Sequence, residues 1–181
     1  MIRTLLWLLG GALLGGVIHI VVILALPHLA EDTSWTRLSA LDVDNKMLVL
    51  PAITAGGDNP LQLDSELVYG ICKIDLSEAP AFVQGTLPDA FWSVAVYNHD
   101  GIITYSTTNR DGIGQTIEVG LFNTAQTQLL AQQQIEISPN LLVVEVEDNE
   151  LAVIVRAAPP HNVMRPRFEA ALAAVSCGPR S

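Results

Sequence analysis

The chain has 181 residues, half of them hydrophobic, with 19 acidic and nine basic side chains and a formal net charge of −10. All 19 acidic residues and eight of the basic ones follow a charge-free stretch from Leu5 to Leu26, which leaves the rest of the chain at −11. Such a surface repels phosphate backbones and anionic headgroups, so nucleic-acid binding and a polybasic lipid clamp are excluded, and the acidity serves solubility.

As a helix, Leu5 to Leu26 is roughly 33 Å long at about 1.5 Å per residue, which matches a bilayer core of about 30 Å. A cleaved secretory signal has a shorter apolar stretch of about 7–15 residues. The best cleavage site, Ala25, has Ile23 two positions before it and Pro27 close behind. An uncleaved anchor is the better reading. Arg3 precedes the span and no Lys or Arg lies in Pro27 to Asp32, so the positive-inside rule puts Met1 in the cytoplasm. In a bacterial inner membrane, the single-pass topology then places the C-terminal domain in the periplasm. Gly11 and Gly15 have the small-residue spacing that lets two helices approach, which makes them a candidate packing face for a homodimer, although glycine is common in membrane helices. His19 lies in the span with no acidic partner there, and reads as a neutral hydrogen-bonding group.

The chain divides into a cytoplasmic tail (1–4), a transmembrane helix (5–26), a juxtamembrane segment (27–46) and an exported β-rich domain (47–181). A short helix is expected over Glu31 to Leu41, capped by Asp32, Thr33 or Ser34. Met47 to Leu50 is a short apolar run, and Ala55 to Pro60 a loop. Strands are expected at Glu66–Leu76, Ala81–Gln84, Ala90–Asn98, Ile102–Thr107 and Thr116–Phe122. Asp100-Gly101 marks a hairpin, with Trp92, Val94 and Val96 on one face and Ser93, Ala95 and Tyr97 on the other. A helix over Asn123–Gln133 and a short strand over Gln134–Ile137 come next. Leu141–Glu147 and Leu151–Ala157 flank Asp148-Asn149-Glu150 as a second hairpin, its second strand apolar on both faces. An amphipathic helix over Arg167–Cys177 closes the chain. The fold class is β-rich α+β: an antiparallel, sandwich-like exported domain with a few peripheral helices, behind one N-terminal transmembrane helix.

Cys72 and Cys177 are the two cysteines. A lone pair in an oxidising compartment reads as a disulfide, here tying a central strand to the C-terminal helix. No C-x-x-C motif exists and no His neighbours either Cys, which argues against a metal or redox pair. The sequence contains no zinc-type His spacing, phosphate loop, G-x-S-x-G or dinucleotide fingerprint. Asp42-x-Asp44-Asn45 lacks the Gly and closing Glu of a calcium loop. No catalytic residue, metal ligand or cofactor is assigned. Two weak ligand-binding sets remain. Trp92, Tyr97 and Tyr105 converge near one turn, as packing or as an aromatic-lined pocket. His161, Arg165 and Arg167 make a cationic patch, to pair with the domain's own acids or to hold an anion.

The stretch Leu87-Pro88-Asp89-Ala90-Phe91-Trp92-Ser93-Val94-Ala95-Val96-Tyr97-Asn98-His99-Asp100-Gly101, followed by Tyr105-Ser106, resembles the core hairpin of an uncharacterised bacterial family, domain of unknown function 1254. The Tyr69 to Cys72 strand and the N-terminal span also resemble its short members. The resemblance implies a companion membrane protein bearing the domain of unknown function 1214. Asn98 stands where Asp is common in the turn, so no role needing a carboxylate there carries over, and the family supplies no catalytic residues. The expected function is that of a membrane-anchored envelope module for interaction or structure. The alternatives are a binder of a small apolar or carbohydrate-like ligand, and an envelope enzyme using carboxylates.

Overall fold

The computed structural model describes residues 2–29, 34–54, 56–57, 59–110, 114–133, 138 and 140–180. Helix α1 (Ile2–Leu29) is 28 residues long, and Ile2–Leu26 within it has a mean hydropathy of 2.4 with its side chains unburied. This helix is long and apolar enough to cross a membrane. Helix α2 (Ser34–Ser39) is shorter than the expected Glu31–Leu41. Ser34 is its first residue, and the other expected caps, Asp32 and Thr33, lie outside the described residues.

Among the described residues, nine strands then build two sheets. The first, sheet A, has the order β1 (Leu48–Val49), β2 (Val68–Asp75), β8 (Glu150–Ala157), β4 (Trp92–Asn98) and β5 (Ile103–Thr108), all antiparallel. The second, sheet B, has the order β7 (Leu142–Val146), β6 (Thr116–Asn123), β3 (Ala81–Thr86) and β9 (Ser176–Pro179), with β6 and β7 parallel. Helix α3 (Thr124–Gln133) follows β6. A 3-10 turn (Asn162–Met164) leads into α4 (Arg165–Ala173), which packs on β1, β2 and β3. The β-rich class with peripheral helices and one apolar N-terminal helix is therefore the observed fold.

Local chemistry explains the elements that the pattern predicts. Alternation in β4 sends Trp92, Val94 and Val96 into the inter-sheet core, where they meet Val153 and Val155 of β8 and Val83, Val119 and Leu121 of sheet B. The β4–β5 turn is held by Asn98, whose Oδ1 accepts from the N–H groups of Asp100 and Ile102, while Gly101 takes the left-handed φ of 77° that the turn needs. Helix α3 starts on a reciprocal cap: the Gln126 N–H donates to Asn123 Oδ1 and the Asn123 N–H to Gln126 Oε1.

Two expectations need correction. Leu141–Glu147 and Leu151–Ala157 do not form a hairpin, because β7 joins sheet B and β8 joins sheet A. Strand β8 is buried on its core face, half-buried at Ile154 and Arg156 on the other, and takes a neighbour on each edge, β2 and β4. The turn between β7 and β8 stitches the sheets instead. Its Asp148 accepts from Asn98 Nδ2, Asn149 Oδ1 from Asn123 Nδ2, and the Asn149 carbonyl from the Leu76 N–H. The final helix also ends early. Pro166 sits in the first turn of α4, where its missing N–H is harmless, and the helix stops at Ala173. Cys177 lies on β9, so its disulfide to Cys72 on β2 joins strand to strand and sheet to sheet. The strand expected over Gln134–Ile137 lies outside the described residues.

Candidate functional site

The outer face of sheet A is set by the same alternation that fills the core. Tyr69 and Ile71 of β2 stand opposite Arg156 and Ile154 of β8, and Ala152 of β8 stands opposite Tyr97 of β4. All six line one open groove of about 520 Å³. One wall is α2, with Trp35, Arg37 and Leu38. The other is Pro60–Leu63, with Asn98 and Gly101 at the hairpin end. Leu38, Ile71 and Ala152 are buried at its base, with Trp35, Leu61, Tyr97 and Ile154 packed on them.

Hydrogen bonds fix these walls. Asn59 closes the 59–63 loop by accepting from the Leu63 N–H through Oδ1 and donating to the Leu63 carbonyl through Nδ2. Arg37 Nη1 donates to the Pro60 carbonyl at 2.7 Å, which ties α2 to that loop. Tyr69 Oη accepts from the Asp64 N–H. Lys73 Nζ lies 5.8 Å from the centre of the Trp35 ring and pairs with Asp44, so the loop that resembled a calcium site packs back on β2.

The charged side chains lining the groove are Arg37 and Arg156, and the described lining includes no Asp, Glu, His, Ser, Cys or Lys. Arg156 Nε donates to Ser93 Oγ at 3.2 Å. Among the described residues no group of three or more His, Cys, Asp or Glu side chains is placed to hold a metal. The shifted carboxyl lies elsewhere: Asp75, at the end of β2, is held below the usual Asp range, first by the Ser77 hydroxyl and then by the Ser77 N–H, with Lys73 adding a smaller attraction.

The structure does not assemble either expected ligand set. Trp92 is 2 % exposed in the inter-sheet core, its Nε1 without a hydrogen-bond partner. Tyr105 pairs with Val96 and packs on the same core, while Tyr97 is on the opposite face and lines the groove. The three aromatics thus fall on two faces of one sheet, because Tyr97 is out of phase with Trp92 along β4. His161 and Arg167 are exposed at the start of α4. Arg165 is engaged with backbone: Nη1 and Nη2 donate to the Leu67 carbonyl, and Nη2 also to that of Ser65, while Nε lies 3.8 Å from Glu169. It clamps the entry to β2. Gly11 and Gly15 lie on α1 with nothing within 4 Å of where a Cβ would stand. Sequence reasoning missed Arg37, Arg156 and Tyr69. Arg156 carried a signal, as a charge inside the otherwise apolar run Leu151–Ala157.

No protein-family model matches the chain, and no curated protein matches it. The chain is similar to solved structures, among them the following two. The VPA0106 protein from Vibrio parahaemolyticus aligns over 64% of this chain with a TM-score of 0.50 and 12% identity. An uncharacterised protein from Burkholderia cenocepacia aligns over 55% with a TM-score of 0.39 and 15% identity. This chain spans 28% of the length of the Vibrio protein and 27% of the other. The first likeness defines a class by fold alone: a β-rich, two-sheet unit that also occurs within a longer chain.

Proposed function

We propose that this protein is a single-pass, membrane-tethered binding module of the bacterial envelope. Helix α1 sits in the inner membrane with Met1 in the cytoplasm, and the β-rich domain works in the periplasm. Support for this address comes from Arg3 before the span and from two cysteines that pair with each other, as an oxidising compartment favours. The observation that carries the binding role is the groove on sheet A, whose size falls in the range of about 300–1,000 Å³ typical of ligand sites. Its described lining offers donors and apolar surface and lacks a carboxylate, thiol or imidazole, so it suits binding better than acid–base or nucleophilic catalysis.

A companion membrane protein with the domain of unknown function 1214 belongs to this reading, as does helix pairing through Gly11 and Gly15. Occurrence of the fold within a longer Vibrio chain supports an arrangement in which this unit works beside another domain. The test is crosslinking in intact cells with a photoreactive residue at Gln62, on the groove wall, and a control at Val163, which is 91% exposed. Adducts at 62 and not at 163 are expected. Equal adducts at both positions, or none at 62, overturn the binding role. Recovery of the chain in a soluble fraction overturns the tether.

A further inference from the structure

Three cationic side chains of the described domain are half-buried: Lys73, Arg156 and Arg165. Lys73 pairs with Asp44 and Arg165 with Glu169. Arg156 has no carboxylate within ion-pair distance among the described residues, although the chain after the apolar stretch carries 11 surplus negative charges. Its Nε donates to the neutral Ser93 hydroxyl, and the two terminal nitrogens make no hydrogen bond among the described residues. A partly desolvated cation held this way is costly unless an anion completes it. The terminal edge of a guanidinium matches the two oxygens of a carboxylate.

From Arg156 the groove runs over half-buried Ile154 and Tyr97, with Leu61 and Trp35 on its walls, while Ala152, Ile71 and Leu38 close the floor beneath them. Residues 152 to 156 span about 14 Å at about 3.4 Å per residue, of the order of a medium-length acyl chain. The α2 wall also stands close to the apolar helix. Four residues separate Leu29 from Ser34, so those two positions are within about 18 Å of each other. A ligand leaving a bilayer spanned by α1 has little distance to cover.

We infer that the groove takes a single-chain fatty acid, with its carboxylate on Arg156 and its chain over Ile154 and Tyr97, between the Leu61 and Trp35 walls. Arg37, tied to the Pro60 carbonyl, adds positive potential at the rim. This inference rests on the tethered binding module proposed above and gives its groove a ligand class. An extended acidic peptide meets the same charge but does not use the apolar floor.

The experiment is native mass spectrometry of the full chain, purified in a non-ionic detergent and titrated with dodecanoate. Dodecanol, dodecyltrimethylammonium and acetate serve as controls for tail, charge and head. One dodecanoate per chain is expected, with the three controls at least roughly tenfold weaker, since a hydrogen bond to a charged group has about that effect or more. Arg156→Gln should weaken dodecanoate binding roughly tenfold to hundredfold. Ile154→Glu, which places a like charge in the groove, should abolish it and serves if Arg156→Gln does not fold. Dodecanoate binding no tighter than dodecanol, or unchanged in a folded variant, overturns the inference. If that happens while the probe at Gln62 still captures a protein, the binding-module reading stands and a protein is the ligand. If the Gln62 probe captures nothing as well, both fall.

Discussion

Cys72 on β2 and Cys177 on β9 are covalently joined across the two sheets, 105 residues apart in sequence. The bond closes a loop that contains most of the domain, and it ties the last strand of sheet B to a central strand of sheet A. In the chain-entropy account, a closed loop of about 100 residues stabilises the fold by about 4.7 kcal/mol, and removal of a native disulfide costs about 2–5 kcal/mol. Replacing both cysteines with Ala should therefore lower stability by several kcal/mol. Urea denaturation of the full chain in detergent, followed by near-UV signal, measures it. An unchanged midpoint would show that the sheets hold without the bond.

Gly85 of β3 lies under the turn that leads into β9. A Cβ at this position would stand 2.8 Å from Val175 Cγ2 and 3.1 Å from Val175 Cα. The second contact is to backbone, which cannot swing aside. Gly85→Ala should cost about 1–3 kcal/mol by overpacking. Val175→Ala should relieve the side-chain part of the clash alone, so the double variant should recover only part of the loss in a thermodynamic cycle.

Trp92 fills the inter-sheet core but leaves its indole N–H without a partner. Trp92→Ala opens a large cavity and should cost about 3–5 kcal/mol. Trp92→Phe keeps most of the ring and removes the unsatisfied donor, whose burial costs about 1–3 kcal/mol. The Phe variant should be much closer to the native protein than the Ala variant. Comparable losses in a thermal melt of the two variants would show that the core depends on the full indole and not on a six-membered ring alone.

Asp75 and Ser77 give a pH dependence with a defined sign. The Ser77 hydroxyl, 2.6 Å from Asp75 Oδ1, and the Ser77 N–H lower the Asp75 pKa from its ordinary 3.8. A carboxyl with a lowered folded pKa adds stability above its unfolded pKa, and that stability is lost as pH falls through the folded value. Ser77→Ala should thus be less stable than the native chain at pH 7, and the difference should narrow below about pH 4. Denaturation midpoints at pH 7, 4 and 3 test this. A gap that widens on acidification would contradict it.

Much of the fold was legible because its signals are local. A charge-free stretch long enough to span a bilayer, period-two alternation in AFWSVAVYN, and Asp-Gly between two strands act within a few residues, and they correspond to α1, β4 and the β4–β5 turn. The pairing of β7 and β8 was not legible. Both strands have the right composition for a hairpin, and which edge each finds depends on Asn123, Asn98 and Leu76, which are distant in sequence.

What the sequence by itself determined is the apolar rod, the acidic strand-rich body behind it, and the inward faces of the strands, since hydrophobic spacing is written residue by residue. Only the tertiary structure decided the site. Tyr69, Tyr97, Arg37 and Arg156 come from four separate elements, and they meet because sheet pairing and the docking of α2 bring distant segments onto one face. No short-range pattern encodes such a meeting, whereas the split of Trp92 from Tyr97 onto opposite faces was already written in the two-residue alternation of β4.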